Sequence, residues 1–383
     1  MKTIKNKQIA IVGGGPGGLT LARILQMNGA SVKVYERDMS RNTRVQGTTL
    51  DLHYDSGLKA LDKAGLMEAF NASYRPGADK LCVTDKHANI LLDEFSIEQG
   101  ESARPEIDRG PLRDILLDSL QPGTLVWDSN FASLERQASS IKIEFKNGTA
   151  ASADLVIAAD GANSKIRPYM TAVKPFYVGV TAVEGTVYDS ANTLPHIHQL
   201  LRGGKIFTMG DEKSLIISSK GDGSLSFLLG FNADEFWVKN SGIDFADKAQ
   251  VLAWFKTAFT GWSPIWDDLF AHASAAFIPR PQYCMPVDQT WEALPDLTML
   301  GDAAHLMPPY AGEGVNMAML DALELGECLL SDDFSDTHTA IAAYEKQMRA
   351  RAAEIAQMTL EQTAILHSPQ ALAHLLELFR PVE

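Results

Sequence analysis

Apolar positions fall along this chain in two patterns, short unbroken runs and helically spaced stripes, and each predicts a different element. Ile9-Ala10-Ile11-Val12 is an unbroken run that ends in Gly13-Gly14-Gly15-Pro16-Gly17-Gly18 and resumes as Leu19, Leu21, Ala22, Ile24 and Leu25 at helical spacing. It reads as strand, tight turn and helix, with Asn28-Gly29 as the stop and Ser31 to Tyr35 as a second strand. Leu58, Leu61, Leu66, Met67 and Phe70 predict one amphipathic helix over Ser56 to Phe70. Val83 to Phe95 reads as a hairpin with His87 solvated in its turn, and a helix begins near Pro111 with Arg113 in its first turn. Strands follow at 125–127, 141–145 and 154–159, the last apolar enough to be covered on both faces, with Asn147-Gly148 as a hairpin turn.

Between about Phe176 and Phe270 the pattern becomes alternating, in segments such as Lys205 to Met209, Ser214 to Ser218 and Ser224 to Leu229 separated by glycine-rich turns. This predicts an antiparallel sheet followed by a helix over Ala246 to Phe259. Leu297 to Leu300 is again a strand, and a helix opens at Tyr310 to Asn316 and runs through Leu330. A long amphipathic helix from Thr337 to His367 and a second apolar segment at Ala371 to Phe379 close the chain. The expected organisation is α/β: a Rossmann-like nucleotide domain in two parts, 1–175 and 281–335, an inserted β-sheet substrate domain at 176–280, and a C-terminal helical segment at 336–383.

Three corners where a strand runs into glycine concentrate the candidate chemistry. In the first, Gly13, Gly15 and Gly18 fit the G-x-G-x-x-G spacing: the first glycine makes the turn, the second admits a pyrophosphate, and the third lets helix pack on strand. Glu36 ends the second strand about where a carboxylate hydrogen-bonds an adenosine ribose, with Arg37 beside the adenine, so the unit reads as dinucleotide-binding. The second corner is Asp160-Gly161-Ala162-Asn163-Ser164-Lys165-Ile166-Arg167, and the third is Gly301-Asp302 followed by His305 and Pro308-Pro309. Glycines at 312 and 314 would let a flat ring lie against helix backbone. Asp51, in a polar stretch from Arg44 to His53, reads by itself as a loop carboxylate. Arg113 reads either as a surface charge or as extra donors at an anion-binding helix end. His305, one turn from a helix start, reads as structural rather than as a base.

Composition narrows the partners. With 383 residues the chain can bury a large core, and a formal net charge of −14 without clustered Lys or Arg argues against nucleic acid or an anionic membrane surface. The apolar run behind the basic first residues is cut by glycine too early for a signal peptide or a span, which predicts a cytoplasmic protein. Cys82, Cys284 and Cys328 lack paired spacing, predict neither disulfides nor a metal site, and read as buried small hydrophobes.

The three corners, in this order and spacing, resemble the three fingerprints of class A, single-component FAD-dependent aromatic hydroxylases of the p-hydroxybenzoate hydroxylase type. More narrowly, Val34-Tyr35-Glu36-Arg37-Asp38, Thr49-Leu50-Asp51-Leu52-His53, Pro105-Glu106-Ile107 with Leu112-Arg113, and Gly301 through Pro309 look like the tetracycline-inactivating flavin monooxygenases of resistant bacteria. The resemblance implies a Rossmann-like FAD-binding domain and an oxygenase that uses NADPH and O₂ on a phenolic or enolic small molecule, aromatic or polyketide. It implies cofactor contacts from Gly13, Gly15, Pro16, Gly17, Gly18, Glu36, Arg37, Asp51, Arg113, Asp160 and Asp302, with Gly312, Glu313, Gly314 and Val315 along the flavin ring and Arg44 on the NADPH side. No protein nucleophile, catalytic base or metal is required, and Glu184, Lys205 and Tyr310 are expected to orient substrate in a monomer. Two departures stand out: Glu313 where the family usually has glutamine, and Glu184, Lys205 and Ser226 where the narrower group presents glutamine, arginine and histidine. A halogenase or reductase on the same scaffold is the rival enzyme, although Trp262-Ser263-Pro264-Ile265-Trp266 lacks the halogenase spacing, and a non-catalytic flavin-binding protein is the rival from another class.

Overall fold

In the computed structural model, which describes residues 3–43, 47–96, 104–274 and 276–380, the apolar runs form a five-stranded parallel sheet. Its order is Leu297–Met299, Leu155–Ala158, Gln8–Val12, Ser31–Tyr35, Leu125–Val126. Ile11, Leu155, Val156 and Ile157 are fully buried in it, as both-face coverage demands. The three strands that carry the glycine corners are neighbours, so all three corners emerge at one edge, where their C-terminal ends lie together. That edge is where open parallel sheets place ligands.

A second, seven-stranded sheet stands beside it in the order Ile278–Cys284, Phe176–Val187, Leu225–Asn232, Lys213–Ser219, Lys205–Gly210, Leu81–Asp85, Ile90–Asp93. The expected antiparallel sheet is in fact mixed, because Lys205–Gly210 pairs in parallel with Leu81–Asp85. The expected boundaries shift accordingly. Leu81–Asp85 and Ile90–Asp93 come from the 1–175 segment but extend this sheet, and Ile278–Cys284 crosses the 280/281 division while still paired with Phe176–Val187. Strand patterning reports a half-buried surface and leaves the choice of partner strand open.

One face of the large sheet, with Val183, Ile217, Phe227 and Leu229, packs on the aromatic-rich helices Lys248–Ala258 and Asp267–His272. The helix expected over Ser56 to Phe70 is two, Gly57–Lys63 and Met67–Asn71, parted at Gly65 with φ +69, which a residue with a Cβ rarely adopts. Phe131–Arg136 is a strand that its two apolar residues did not announce; it pairs with Ile141–Phe145 in a three-stranded sheet.

The helix Gly314–Leu330, here the corner helix, packs against both the first helix, Pro16–Met27, and the thirty-residue helix Thr337–Leu366. Asp336 and Thr339 form a capping box at the start of the latter. Ala371–Leu378 lies over Leu81–Asp85 and Lys205–Gly210. Cys82 and Cys284 are buried and Cys328 half-buried; burial pushes each thiol up to about 11. No helix of the described residues is long and apolar enough to cross a membrane.

Candidate functional site

At the first corner each glycine has its own reason. Gly13 holds φ +117, and a Cβ there would overlap the Ala159 carbonyl, so strand, turn and second corner close on one another only with glycine. A Cβ on Gly18 would overlap the Gly13 carbonyl, which is the predicted packing of helix on strand. Gly17 does something the spacing did not reveal: its Cβ would sit 2.7 Å from the Ala318 carbonyl, so it sets the approach of the first helix to the corner helix. Gly15 is different, with no atom within 4 Å of where its Cβ would be. The first helix starts with Pro16 and has no side-chain cap, leaving its first-turn amides directed at open space.

That space is a cleft of about 340 Å³ bounded by all three corners. Gly15, Pro16, Gly17 and Gly18 form one wall, Ala159 and Gly161 a second, Gly301 and Asp302 a third, and Gly312, Gly314 and Val315 the last, with Asp51 and Arg109 at the side. Gly161 and Gly314, like Gly15, have nothing within 4 Å of a notional Cβ. Bare glycines therefore face the cleft from three directions, and the corner helix also lacks a side-chain cap. Backbone N–H groups and helix dipoles directed into such a space suit an anionic, extended ligand. Glu36 is buried nearby and accepts hydrogen bonds from Gly14 N (2.7 Å) and Asp38 N (3.0 Å).

The second and third corners are tied together. Ser164 Oγ accepts from Ile166 N and Arg167 N, and Arg167 donates to the carbonyls of Ala303 (2.7 Å) and Asp302 (2.8 Å). Asp160 lies off the cleft, its Oδ2 accepting from Lys165 N at 2.8 Å, so it shapes the turn. Asp302 lines the cleft; burial pushes its carboxyl up, against the pull of His305, Arg109 and Arg167. His305 is structural, as its position suggested. Its Nε2 lies 2.5 Å from Asp321, which also accepts from Gly301 N and Arg351. Burial opposes the imidazolium there, and Asp321 outweighs burial to raise its pKa.

Of the remaining expected cofactor residues, Arg37 is exposed at the end of its strand, and Arg44 lies outside the described residues. Arg113 falls in the second turn of Arg109–Asp118 rather than the first, and it is buried. It donates to Asp38 Oδ2 (3.2 Å) and the Arg41 carbonyl (3.1 Å) with Trp127 beneath it, so the surface-charge alternative is excluded and its contact is with the loop behind Glu36. Glu313 departs from the expected row: Gly312, Gly314 and Val315 line the cleft, while its carboxylate turns to His53, Oε2 to Nδ1 3.5 Å.

The face of the large sheet opposite the aromatic core lies beside this cleft, with its Glu184 and the cleft-lining Arg109 both reaching Gly47. Strand register puts Phe207, Ile216, Leu228 and Glu184 in one cross-strand row and Lys205, Ser218, Ser226 and Thr186 in the next, on the face opposite the aromatic core. Phe207, Ile216 and Leu228 are half-buried and form an apolar row, with the Phe207 ring tilted against Phe379 at 6.0 Å between centroids. The three expected substrate residues are engaged within the protein. Arg280 Nε holds Glu184 at 2.5 Å, and Lys205 is paired with the buried Glu106. Tyr310 stacks edge-on with His367, and its buried hydroxyl sits over Gly230, where the absence of a Cβ makes room for it beside Ser214. Among the described residues no cluster of three or more His, Cys, Asp or Glu side chains is arranged to hold a metal ion.

A family model described as FAD binding domain matches residues 6–175 and 296–359, the parts that build the parallel sheet and its corners. The chain is 28% identical to Monooxygenase asqM of Emericella nidulans over 95% of this chain and 96% of that protein. It is 24% identical to 6-hydroxynicotinate 3-monooxygenase of Pseudomonas fluorescens over 94% and 92%. In solved structures its fold is similar to that of Klebsiella pneumoniae HpxO complexed with FAD and uric acid, with a TM-score of 0.74 at 21% identity covering 96% of this chain and 91% of that one. It is also similar to tetracycline destructase Tet(51), with a TM-score of 0.73 at 18% identity covering 98% and 95%. At those identities the structural likeness is one of fold.

Proposed function

The chain belongs to the FAD binding domain family of class A FAD-dependent monooxygenases, and from that premise we propose that FAD lies along the three-cornered cleft with its substrate on the adjoining sheet face. The protein is an FAD-dependent monooxygenase that hydroxylates a small aromatic molecule with NAD(P)H as reductant. Bound FAD supplies hydride acceptance from the nicotinamide and activation of O₂ for transfer of one oxygen atom.

The protein's own tasks follow from its geometry. First-turn amides at Gly17 and Gly18 hold the pyrophosphate, Glu36 takes the ribose, and Arg37 covers the adenine. The uncapped start of the corner helix faces the ring and favours negative charge on it. Met307, Pro308 and Pro309 wall the cleft toward the sheet and keep water from the reacting atoms. Phe207, Ile216 and Leu228 provide the surface for an aromatic ring. Lys205 and Arg280 each already hold a carboxylate, so the face favours a neutral phenolic or enolic ring over a carboxylate-bearing one. The same pairings weigh against tetracycline, because Glu184 and Lys205, two of the three positions matched to the drug-binding residues, are occupied within the chain, and the likeness to Tet(51) is one of fold.

The observation that carries this reading is the convergence of three bare glycines, Gly15, Gly161 and Gly314, on one cleft beside two uncapped helix starts. The test is purified yellow protein assayed for NADPH oxidation with neutral hydroxylated heteroaromatics, their carboxylated counterparts and tetracycline, with product mass followed in parallel. Gain of one oxygen atom coupled to NADPH loss, fastest with the neutral rings, is the expected result. FAD-loaded protein that oxidises NADPH no faster with any of them overturns the substrate assignment.

A further inference from the structure

Glu313 occupies a position where a carboxylate should interfere. It is the N-cap residue of the corner helix, one residue from the amides of Gly314 and Val315 that face the cleft. A carboxylate at an N-cap can accept from the second and third amides of the helix, here Val315 and Asn316, and neutralise the positive end of the dipole. Here it makes no such bond. The side chain is drawn away to His53 Nδ1 at 3.5 Å, while His53 Nε2 lies 3.2 Å from Asp51 Oδ2. The imidazole thus stands between two carboxylates, one belonging to the helix start and one lining the cleft.

The segment bearing His53 is itself fastened to that helix. Asn316, fully buried in its first turn, accepts from His53 N and donates to the Asp51 carbonyl, both at 2.9 Å. A Cβ on Gly57 would come within 2.5 Å of Asn316 Oδ1, so the following helix also abuts this joint. The position of His53 relative to Glu313 is therefore fixed by backbone bonds rather than by the side-chain contact alone.

We propose that His53 is a positioning residue that latches the Glu313 carboxylate away from its own helix N-terminus and so keeps that terminus open and electropositive for the flavin ring. This rests on the reading of the corner-helix start as the wall against which the ring lies. Without the imidazole, Glu313 is free to rotate back onto the first-turn amides of Val315 and Asn316 and compete with the cofactor for the helix terminus. The groups facing this carboxylate are His53, Arg104, Asp51 and Asp55, and Lys205 acts on Asp51 from the sheet side. Burial raises the pKa of Glu313, with His53 and Arg104 pulling it down and Asp51 and Asp55 adding to the rise. Protonation should therefore disarm the competing carboxylate at mildly acidic pH.

The test measures FAD dissociation on dilution of the holoenzyme and the flavin midpoint potential, for wild type, His53→Leu, Glu313→Gln and the double variant. At pH about 8, His53→Leu should release FAD about tenfold more readily, a change of the size expected for one charge at a helix start, with the potential shifted negative. The defect should shrink as the buffer is acidified, because burial raises the pKa of the carboxyl and favours its proton, and Glu313→Gln should restore most of it in the double variant. Glu313→Gln alone should hold FAD at least as well as wild type. A His53→Leu defect that is unchanged on acidification and unrelieved by Glu313→Gln makes His53 merely structural and overturns the latch, as does the absence of any defect. Wild type that takes up no FAD overturns the cofactor site as well.

Discussion

Along the cleft the chain presents backbone, and across the sheet face it presents side chains. The cleft walls are Gly15, Gly161, Gly314 and the amides beside them, and their shape depends on where a Cβ is missing. The sheet face is Phe207, Ile216 and Leu228 bordered by the pairs Lys205–Glu106 and Glu184–Arg280, and its character depends on which partner each charge finds. A site made of backbone tolerates little change of residue type at fixed spacing. A site made of paired side chains can change its chemistry without altering the fold, which is how one scaffold serves many substrates.

The largest effect should come from the residue that closes the first corner. Gly13→Ala places a Cβ into the Ala159 carbonyl at φ +117, and the combined clash and strain should cost about 3 kcal/mol or more and leave purified protein without FAD. Urea denaturation and the flavin absorbance measure both, and a loss below about 1 kcal/mol would mean that the corner is not built on this glycine. Next comes the sheet face. Lys205→Met leaves Glu106 buried without its cation and should cost about 3 kcal/mol at neutral pH. Burial already raises the pKa of Glu106, with Lys205 pulling it down and Asp51 adding to the rise. Removing Lys205 raises it further. A folded carboxyl with a pKa above the unfolded value of about 4.3 contributes stability below that value and loses it as pH rises through the folded pKa. The penalty in Lys205→Met should therefore shrink as the buffer is acidified. A penalty independent of pH would place the loss in packing, and Lys205 could then be counted among the substrate-facing residues after all.

The same contrast explains what could be read in the sequence. Gly18 was legible because the Gly13 carbonyl it must clear lies in the same turn, and Gly13 was legible as the turn's positive-φ residue, although the Ala159 carbonyl that also demands it comes from a distant strand. Gly17 was not, since the Ala318 carbonyl it must clear is brought to it only by helix packing. The strand Phe131–Arg136 escaped notice because its hydrophobicity is supplied by its neighbours, and the expected 280/281 boundary cuts through Ile278–Cys284 because the sequence does not name that strand's partner. Glu184 and Lys205 lie on the sheet face opposite the aromatic core, yet Arg280 and Glu106, each nearly a hundred positions away, decide what they do there. Glu313 stood out as a departure from the family's usual glutamine, but its turn toward His53 depends on Asn316 joining two segments that the sequence keeps far apart.

The smallest effect on stability should be the most informative about the cleft. Gly15 belongs to the same motif as Gly13 and Gly18 and has none of their steric constraints, since among the described residues no atom beyond its chain neighbours lies within 4 Å of its notional Cβ and its φ of −81 suits any residue. Gly15→Ala should therefore unfold within about 0.5 kcal/mol of wild type, as a substitution touching nothing does. The added methyl group stands where the cofactor's pyrophosphate is expected, so FAD affinity should nevertheless fall about tenfold, equivalent to about 1.4 kcal/mol. Stability unchanged with affinity lost would separate the glycine kept for the ligand from those kept for the fold. Affinity unchanged would move the pyrophosphate away from the first helix and leave Gly161 and Gly314 as the remaining walls against which it could lie.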